Sequence, residues 1–144
     1  MGNHPLLRGR SPSEAVTRIK SFTGQSLSVP EGATALLKLS TTAAEAPSPD
    51  DLEAANEAVL NPAAPTGPLS AHSRAVTGRA QGLVMAFGKG RVVMLGEAAM
   101  FSAQIIKFTE GDHPTEMKVG MNVPGNDDRQ FALNVLHWLS GLLK

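Results

Sequence analysis

The sequence predicts a small α/β domain, and three stretches predict it. Residues 82–96 read as a β-hairpin, 97–108 as a helix and 128–143 as a closing helix. In the hairpin, Leu83–Phe87 is an apolar run bounded by glycines and Arg91–Leu95 is rich in β-branched residues. Short runs of this kind suit buried strands. Gly88-Lys89-Gly90 lies between them, and glycine reaches positive φ without a Cβ penalty, as a two- or three-residue hairpin loop requires. A phosphate loop would need G-x-x-x-x-G-K-[ST] leading into a helix. Here Gly90 follows Lys89 and a strand comes next, so that reading fails.

Gly96-Glu97 ends the second strand. Met100, Phe101, Gln104, Ile105 and Phe108 then recur at three- and four-residue spacing, which predicts a helix over 97–108 with that face buried. Glu97 falls at its N-terminus, where the macrodipole favours a carboxylate. It also falls at the rim of an α/β sheet, a frequent location for ligand sites. In the last element Asp127 reads as the N-cap and Gln130 as its capping-box partner. Apolar residues from Phe131 to Leu143 cover more than half of that helix, which predicts burial against the sheet. Trp138 reads as a core residue, and His137 as a satisfied histidine at the core edge.

Earlier in the chain, Asn3–Gly9 is loop-like and Ser11-Pro12-Ser13-Glu14 a short turn. Val16–Phe22 alternates imperfectly, as an edge strand does, and Ala33–Ser40 reads as a further strand. Residues 41–76 form an Ala/Pro-rich excursion with too few large apolar side chains to offset its ordering entropy. Inside it Asp50 and Glu53 have capping-box spacing ahead of Leu52, which predicts one short helix. Thr109–Gly125 is read as a second long loop. The elements add up to a single domain, 1–144, with a small mixed sheet and helices packed on it.

The totals bound the function. A chain of 144 residues is long enough for one real core. Thirteen basic and thirteen acidic residues cancel, and no basic block is interleaved with aromatics, so nucleic-acid binding has no electrostatic support. With no cysteine there is no disulfide, thiolate metal site or Cys nucleophile. His4, His72, His113 and His137 show no ligand spacing, so neither a metal nor a cofactor is expected. No run approaches the roughly 18 apolar residues of a membrane span. Met1–Arg10 lacks the apolar core of a signal peptide, which is compatible with a cytoplasmic chain or with an exported parent whose signal is absent.

GKGRVVMLGEAAMFSAQ followed by GMNVPGNDDRQFALNVLHWLSGLL resembles the C-terminal half of class I glutamine amidotransferase-like domains, in an uncharacterised bacterial branch. NHPLLRG is similar to the His-Pro-Ile-x-x-Gly segment found midway through such domains. The resemblance implies a flavodoxin-like, three-layer fold of which this chain holds half. It also implies a family-like polar role for Glu97 and the Asp127–Arg129 segment, although Asp128 stands where relatives usually carry Asn. Amidotransfer needs a thiolate with a His base and an orienting carboxylate. With no cysteine, and with His113-Pro114-Thr115 lacking the family's Glu, the chain is not expected to be a glutaminase by itself.

Two functions follow as expectations. The first is a non-catalytic module for binding or assembly, either a homo-oligomer or a chain paired with one that supplies the missing half-sheet. An open sheet edge and exposed apolar area are normally covered. The second is a hydrolase acting on a polar small molecule or glycan, with Glu97 as general base and Gln81, Gln104, Asn122 and Arg129 as ligand contacts.

Overall fold

The computed structural model describes residues 3–21, 24–53, 73–110 and 113–144. In chain order its labelled elements are the helical turn α1 (Pro5–Arg8), strands β1 (Thr34–Lys38), β2 (Ala44–Glu45), β3 (Arg74–Ala75), β4 (Ala80–Phe87), β5 (Gly90–Leu95), β6 (Ala103–Glu110) and β7 (His113–Gly120), and the helix α2 (Asp128–Leu139). Single 3-10 turns stand at Pro12–Glu14 and Ala99–Phe101. The coarse α/β class holds. The sheet is not mixed, however, because every strand pairing among the described residues is antiparallel.

The main sheet has the order β1-β4-β5. Its β4–β5 hairpin pairs from Gly82↔Leu95 out to Phe87↔Gly90, leaving Gly88-Lys89 as a two-residue turn. Gly88 has φ 58°, and among the described residues none other than glycine has positive φ, so only the first turn position needs glycine. Leu83 and Val84 are buried where β4 crosses the core, while Phe87 at the hairpin tip is exposed. The predicted strand at 33–40 is β1. The predicted strand at Val16–Phe22 is not one: residues 15–21 belong to no helix or strand, and Phe22 lies outside the described residues. Its Thr17, Arg18 and Lys20 amides donate instead to Asp127 and Asp128 at the start of α2.

The predicted helix at 97–108 is replaced by one 3-10 turn and a strand, and the predicted loop at 109–125 is largely that strand's partner. β6 and β7 pair continuously from Ala103↔Gly120 to Glu110↔His113. Met100 and Phe101 do reach the core, Met100 fully and Phe101 against Phe131. Gln104, Ile105 and Phe108 are exposed instead of buried. Two adjacent isoleucines, Phe108 and Thr109 favour a pleated strand over a helix, and a nearby chain with matching register lets them realise that preference.

The 41–76 stretch is closed at its base, where Ala44 pairs with Ala75 and Glu45 with Arg74. Residues 49–53 are helical, but the cap is Ser48, whose Oγ accepts from the Asp51 amide and donates to its carboxylate at 2.6 Å. Asp50 does not cap it. Residues 54–72 lie outside the described residues.

The core sits between α2, the opening turn and the sheet. Leu6, Leu36, Val84, Met100, Phe131 and Trp138 belong to one buried cluster. The opening segment is not a plain loop: His4 caps α1 by accepting from the Leu6 amide, and its ring meets Trp138 edge-on at 5.2 Å. α2 is buried on one face only, because Leu133, Leu136 and Leu139 are exposed; Leu142 beyond its end is exposed as well. His137 is not satisfied as expected, since its buried Nδ1 has no partner.

Asn134 ties the opening segment to α2. It is fully buried; its Nδ2 donates to the carbonyls of Leu6 (3.0 Å) and Glu14 (2.9 Å), and its Oδ1 accepts from Gln130 (2.9 Å). Gln130 is thereby taken from its predicted capping-box role. At the other end Arg91 of β5 donates to the carbonyls of Trp138 (2.6 Å) and Leu143 (2.9 Å), closing the C-terminus of α2. Replacing Asn134 by Leu leaves those buried carbonyls without a donor, so it should cost about 2–3 kcal/mol. A urea midpoint equal to the wild type's at unchanged slope would show that the clamp is not holding the segment.

Candidate functional site

The end of the sheet where β4 begins and β5 stops lies by the two carboxylates that are buried among the described residues, Glu97 and Asp128. Gly96 donates to the Gln81 carbonyl and accepts from the Gln25 amide, both at 2.8 Å. Its backbone is wedged so tightly that a Cβ would sit 2.0 Å from the Gln25 carbonyl oxygen. A Cβ on Gly24 would lie 2.7 Å from the Glu97 Cβ and 2.9 Å from Gln81 Nε2. Gly24 (φ 139°) is therefore the thin wall at which Gln81 and Glu97 come together.

Glu97 is 7% exposed, and both of its oxygens cap the following 3-10 turn. One accepts from the Ala99 amide at 2.7 Å and the other from the Met100 amide at 3.1 Å. The attraction between a carboxylate and a helical N-terminus thus operates here over a single turn.

Asp127 does not cap α2 with its side chain. It reaches across to the opening segment instead, where its Oδ2 accepts from the amides of Thr17 (2.7 Å) and Arg18 (2.9 Å) and from the Thr17 hydroxyl (2.8 Å). The Asp127 amide returns a bond to the Arg18 carbonyl at 2.7 Å. The Asp128 amide is satisfied by Asn126 Oδ1 at 3.1 Å, an Asx turn in place of the predicted cap. Backbone donors from Thr17 and Arg18 hold the Asp127 carboxyl below its ordinary range.

Asp128 behaves in the opposite sense. It is fully buried; its Oδ1 accepts from the Lys20 amide at 2.9 Å, and its Oδ2 has no partner. Burial pushes its carboxyl above the ordinary range, against the Lys20 amide and with the negative charges of Glu97 and Asp127 adding to the effect.

The five residues singled out from the sequence do not converge. Gln81 and Glu97 meet across Gly24. Gln104 and Asn122 touch at the base of the β6–β7 hairpin, where Asn122 Nδ2 donates to the Gln104 carbonyl at 3.4 Å. Arg129 is exposed on the first turn of α2. A recess of about 220 Å³ opens beside Gln81, lined also by Ser21, Gly24, Ser26, Glu45 and Val76. Another of about 150 Å³ lies by Lys20, Ala99, Met117 and Gly120. Glu97 and Asp128 line neither. A recess of about 360 Å³ sits on the β6–β7 hairpin, lined by Lys107, Phe108, Pro114 and Glu116 and by none of the five residues.

Sequence reasoning missed Lys20, Asn134 and the cluster of Ser26, Glu45, Arg74 and Arg79. In that cluster the Ser26 hydroxyl donates to Glu45, Arg79 donates to Ser28 Oγ at 2.8 Å, and Arg74 Nε donates to Glu45 at 2.8 Å. Its bonded partners are 19 to 53 residues apart, with no local spacing that could have revealed them. Among the described residues, no three His, Asp or Glu side chains are placed to hold a metal ion, and no helix is long and apolar enough to cross a membrane. Compared with protein-family models, curated proteins and solved structures, the chain matches none.

The Asp127 clamp has a defined pH signature. Its folded carboxyl lies below the ordinary 3.8, so its stabilisation is complete above that value and is lost as pH falls through the folded value. Asp127→Asn should lower stability at pH 6 by about 1–2 kcal/mol and lose less on further acidification. Denaturant titrations at pH 3 and pH 6 read this directly; equal losses in both proteins would remove Asp127 from the account.

Proposed function

We propose that the chain is a non-catalytic, amidotransferase-like α/β module for binding or assembly, which associates with a second copy of itself. The observation that carries this reading is the β6–β7 hairpin. Among the described residues no third strand joins it, so both of its edges are free. Its register puts Ile106 opposite Met117 and Phe108 opposite Thr115 on one face. Ile106, Phe108 and Met117 are exposed on that face, while Lys107, Glu116 and Lys118 lie on the other. Two-stranded hairpins are marginal alone in water, and exposed apolar patches with a charged back mark interaction surfaces. The exposed leucine stripe of α2 is a second apolar surface on the same chain. A copy of the chain therefore offers apolar area on both sides of a contact.

The same-end carboxylates support binding over turnover. Both Glu97 oxygens already accept backbone amides, and Asp128 is fully buried. General acid–base work needs a positioned group within reach of a substrate proton. Neither oxygen pair has that reach in this arrangement.

Light scattering at micromolar concentration should give a mass of two chains or more. Ile106→Lys with Phe108→Lys should raise the dissociation constant at least tenfold, as expected for charges placed on a desolvated contact. A wild-type chain that stays monomeric and melts cooperatively would sink self-association and direct the search to a different chain as partner. Glu97→Gln keeps the cap's shape and removes the charge. Any hydrolysis of a polar substrate by the wild type that this variant abolishes would overturn the non-catalytic reading.

A further inference from the structure

The two outer edges of the β6–β7 hairpin are not equivalent, although among the described residues each strand pairs only with the other. The base of β7 lies against the body of the domain. Val119 and Gly120 are buried there, and a Cβ on Gly120 would sit 2.2 Å from the Ala99 carbonyl oxygen and 2.3 Å from that of Ser102. Met117, Lys118, Val119 and Gly120 also line a recess with Lys20 and Ser21 of the opening segment. Pro114, Glu116 and Lys118 give β7 the proline and charges that keep an edge strand unpaired. In β6 every side chain over 103–109 is exposed and only Lys107 among them is charged. Ile105, Ile106, Phe108 and Thr109 are strand formers. β6 is the edge open to another strand.

Pro114 identifies the β6 groups that face outward. In an antiparallel ladder, pairs that exchange two backbone bonds alternate with pairs that exchange none. Pro114 has no amide to give, so Thr109↔Pro114 is a pair of the second kind. By alternation Lys107↔Glu116 and Ile105↔Lys118 are too. The amides and carbonyls of Ile105, Lys107 and Thr109 therefore point away from β7, along the free edge.

Self-pairing then leaves few registers. Two antiparallel copies of one strand are related by a two-fold axis, and residues that stand opposite must share a face. One residue consequently lies on the axis, opposite itself. Only Ile106 or Lys107 in that place engages nearly the whole strand, as 103–109 or 104–110. Lys107 on the axis would set two ammonium groups directly opposite each other, which is destabilising. Ile106 on the axis sets Ile105 opposite the second copy's Lys107, a pair that uses the outward amides and carbonyls. It also lines up Met117 and Ile106 with the same two side chains of the second copy, one apolar row across four strands. Each Lys107 keeps Glu116 beside it.

We infer that two copies join edge to edge through β6, antiparallel and with Ile106 on the two-fold axis, into one four-stranded sheet of order β7-β6-β6-β7. The inference rests on the self-association proposed above and names its interface. Three or more strands with an apolar face can be stable where a two-stranded hairpin is marginal, and the join supplies them.

The chain has no cysteine, so a single introduced one reports only its own position. Opposed Cα atoms of an antiparallel pair lie about 4.5–5.5 Å apart, within the span of a disulfide. Under mild oxidation Ile106→Cys should form a disulfide-linked dimer roughly tenfold faster than Lys107→Cys or Met117→Cys. Mixing Ile105→Cys chains with Lys107→Cys chains should give the mixed dimer faster than either homodimer, a readout that leaves Ile106 intact. Fastest linking at Lys107 or Met117, with a scattering mass of two chains, would overturn the β6 register while self-association stands. A monomeric wild type would remove both.

Discussion

Asn134 is the contact on which the rest of the structure depends. Residues 3–21 hold one helical turn and one 3-10 turn but no strand, and a segment without a ladder must find partners for its backbone elsewhere. Asn134 supplies two of them from inside α2, by donating to Leu6 and Glu14, and Gln130 one turn earlier keeps the amide oriented. Only with this segment in place do Leu6, Leu7 and Val16 close the core over Phe131 and Trp138. A buried amide that is fully bonded fixes one arrangement of two elements, whereas leucine packing alone would tolerate sliding.

α2 works as a dock at both ends for the same reason. Its N-terminal turn presents Asp127 and Asp128 to amides of the opening segment, and its C-terminal carbonyls are taken by Arg91. Arg91 also lies 5.1 Å over the Trp138 ring, so one side chain both caps the helix and seals the core. The helix is thus held by polar contacts at its ends and by apolar packing along one face. Its other face, with Leu133 and Leu136, is left to solvent or to a partner.

The β6–β7 hairpin is the clearest departure from what local pattern suggested. AQIIKFTE satisfies a helical spacing as well as a strand composition, and periodicity does not choose between them over so short a run. Gly111-Asp112 between the two runs is a hairpin signal, but Pro114 argues against a strand beginning there. In the fold Pro114 stands opposite Thr109, near the end of a two-stranded ribbon, where a missing amide is tolerated.

By itself, the sequence determined the β4–β5 hairpin, the strand β1, the closing helix and the place of Glu97 at a helical start. Each rests on a local rule: glycine in a two-residue turn, an apolar run of strand length, a polar start ahead of a leucine-rich run, a carboxylate beside free amides. Tertiary structure alone decided which polar groups serve which neighbour. Asp127 and Gln130 have cap spacing, yet they serve Thr17 and Asn134, because a polar partner that is near in space competes with the helix's own end. The pairing of Asp128 with Lys20, and its burial beside Glu97, join positions far apart in the chain. No spacing encodes such contacts, since they exist only once the core has brought the ends of the chain together.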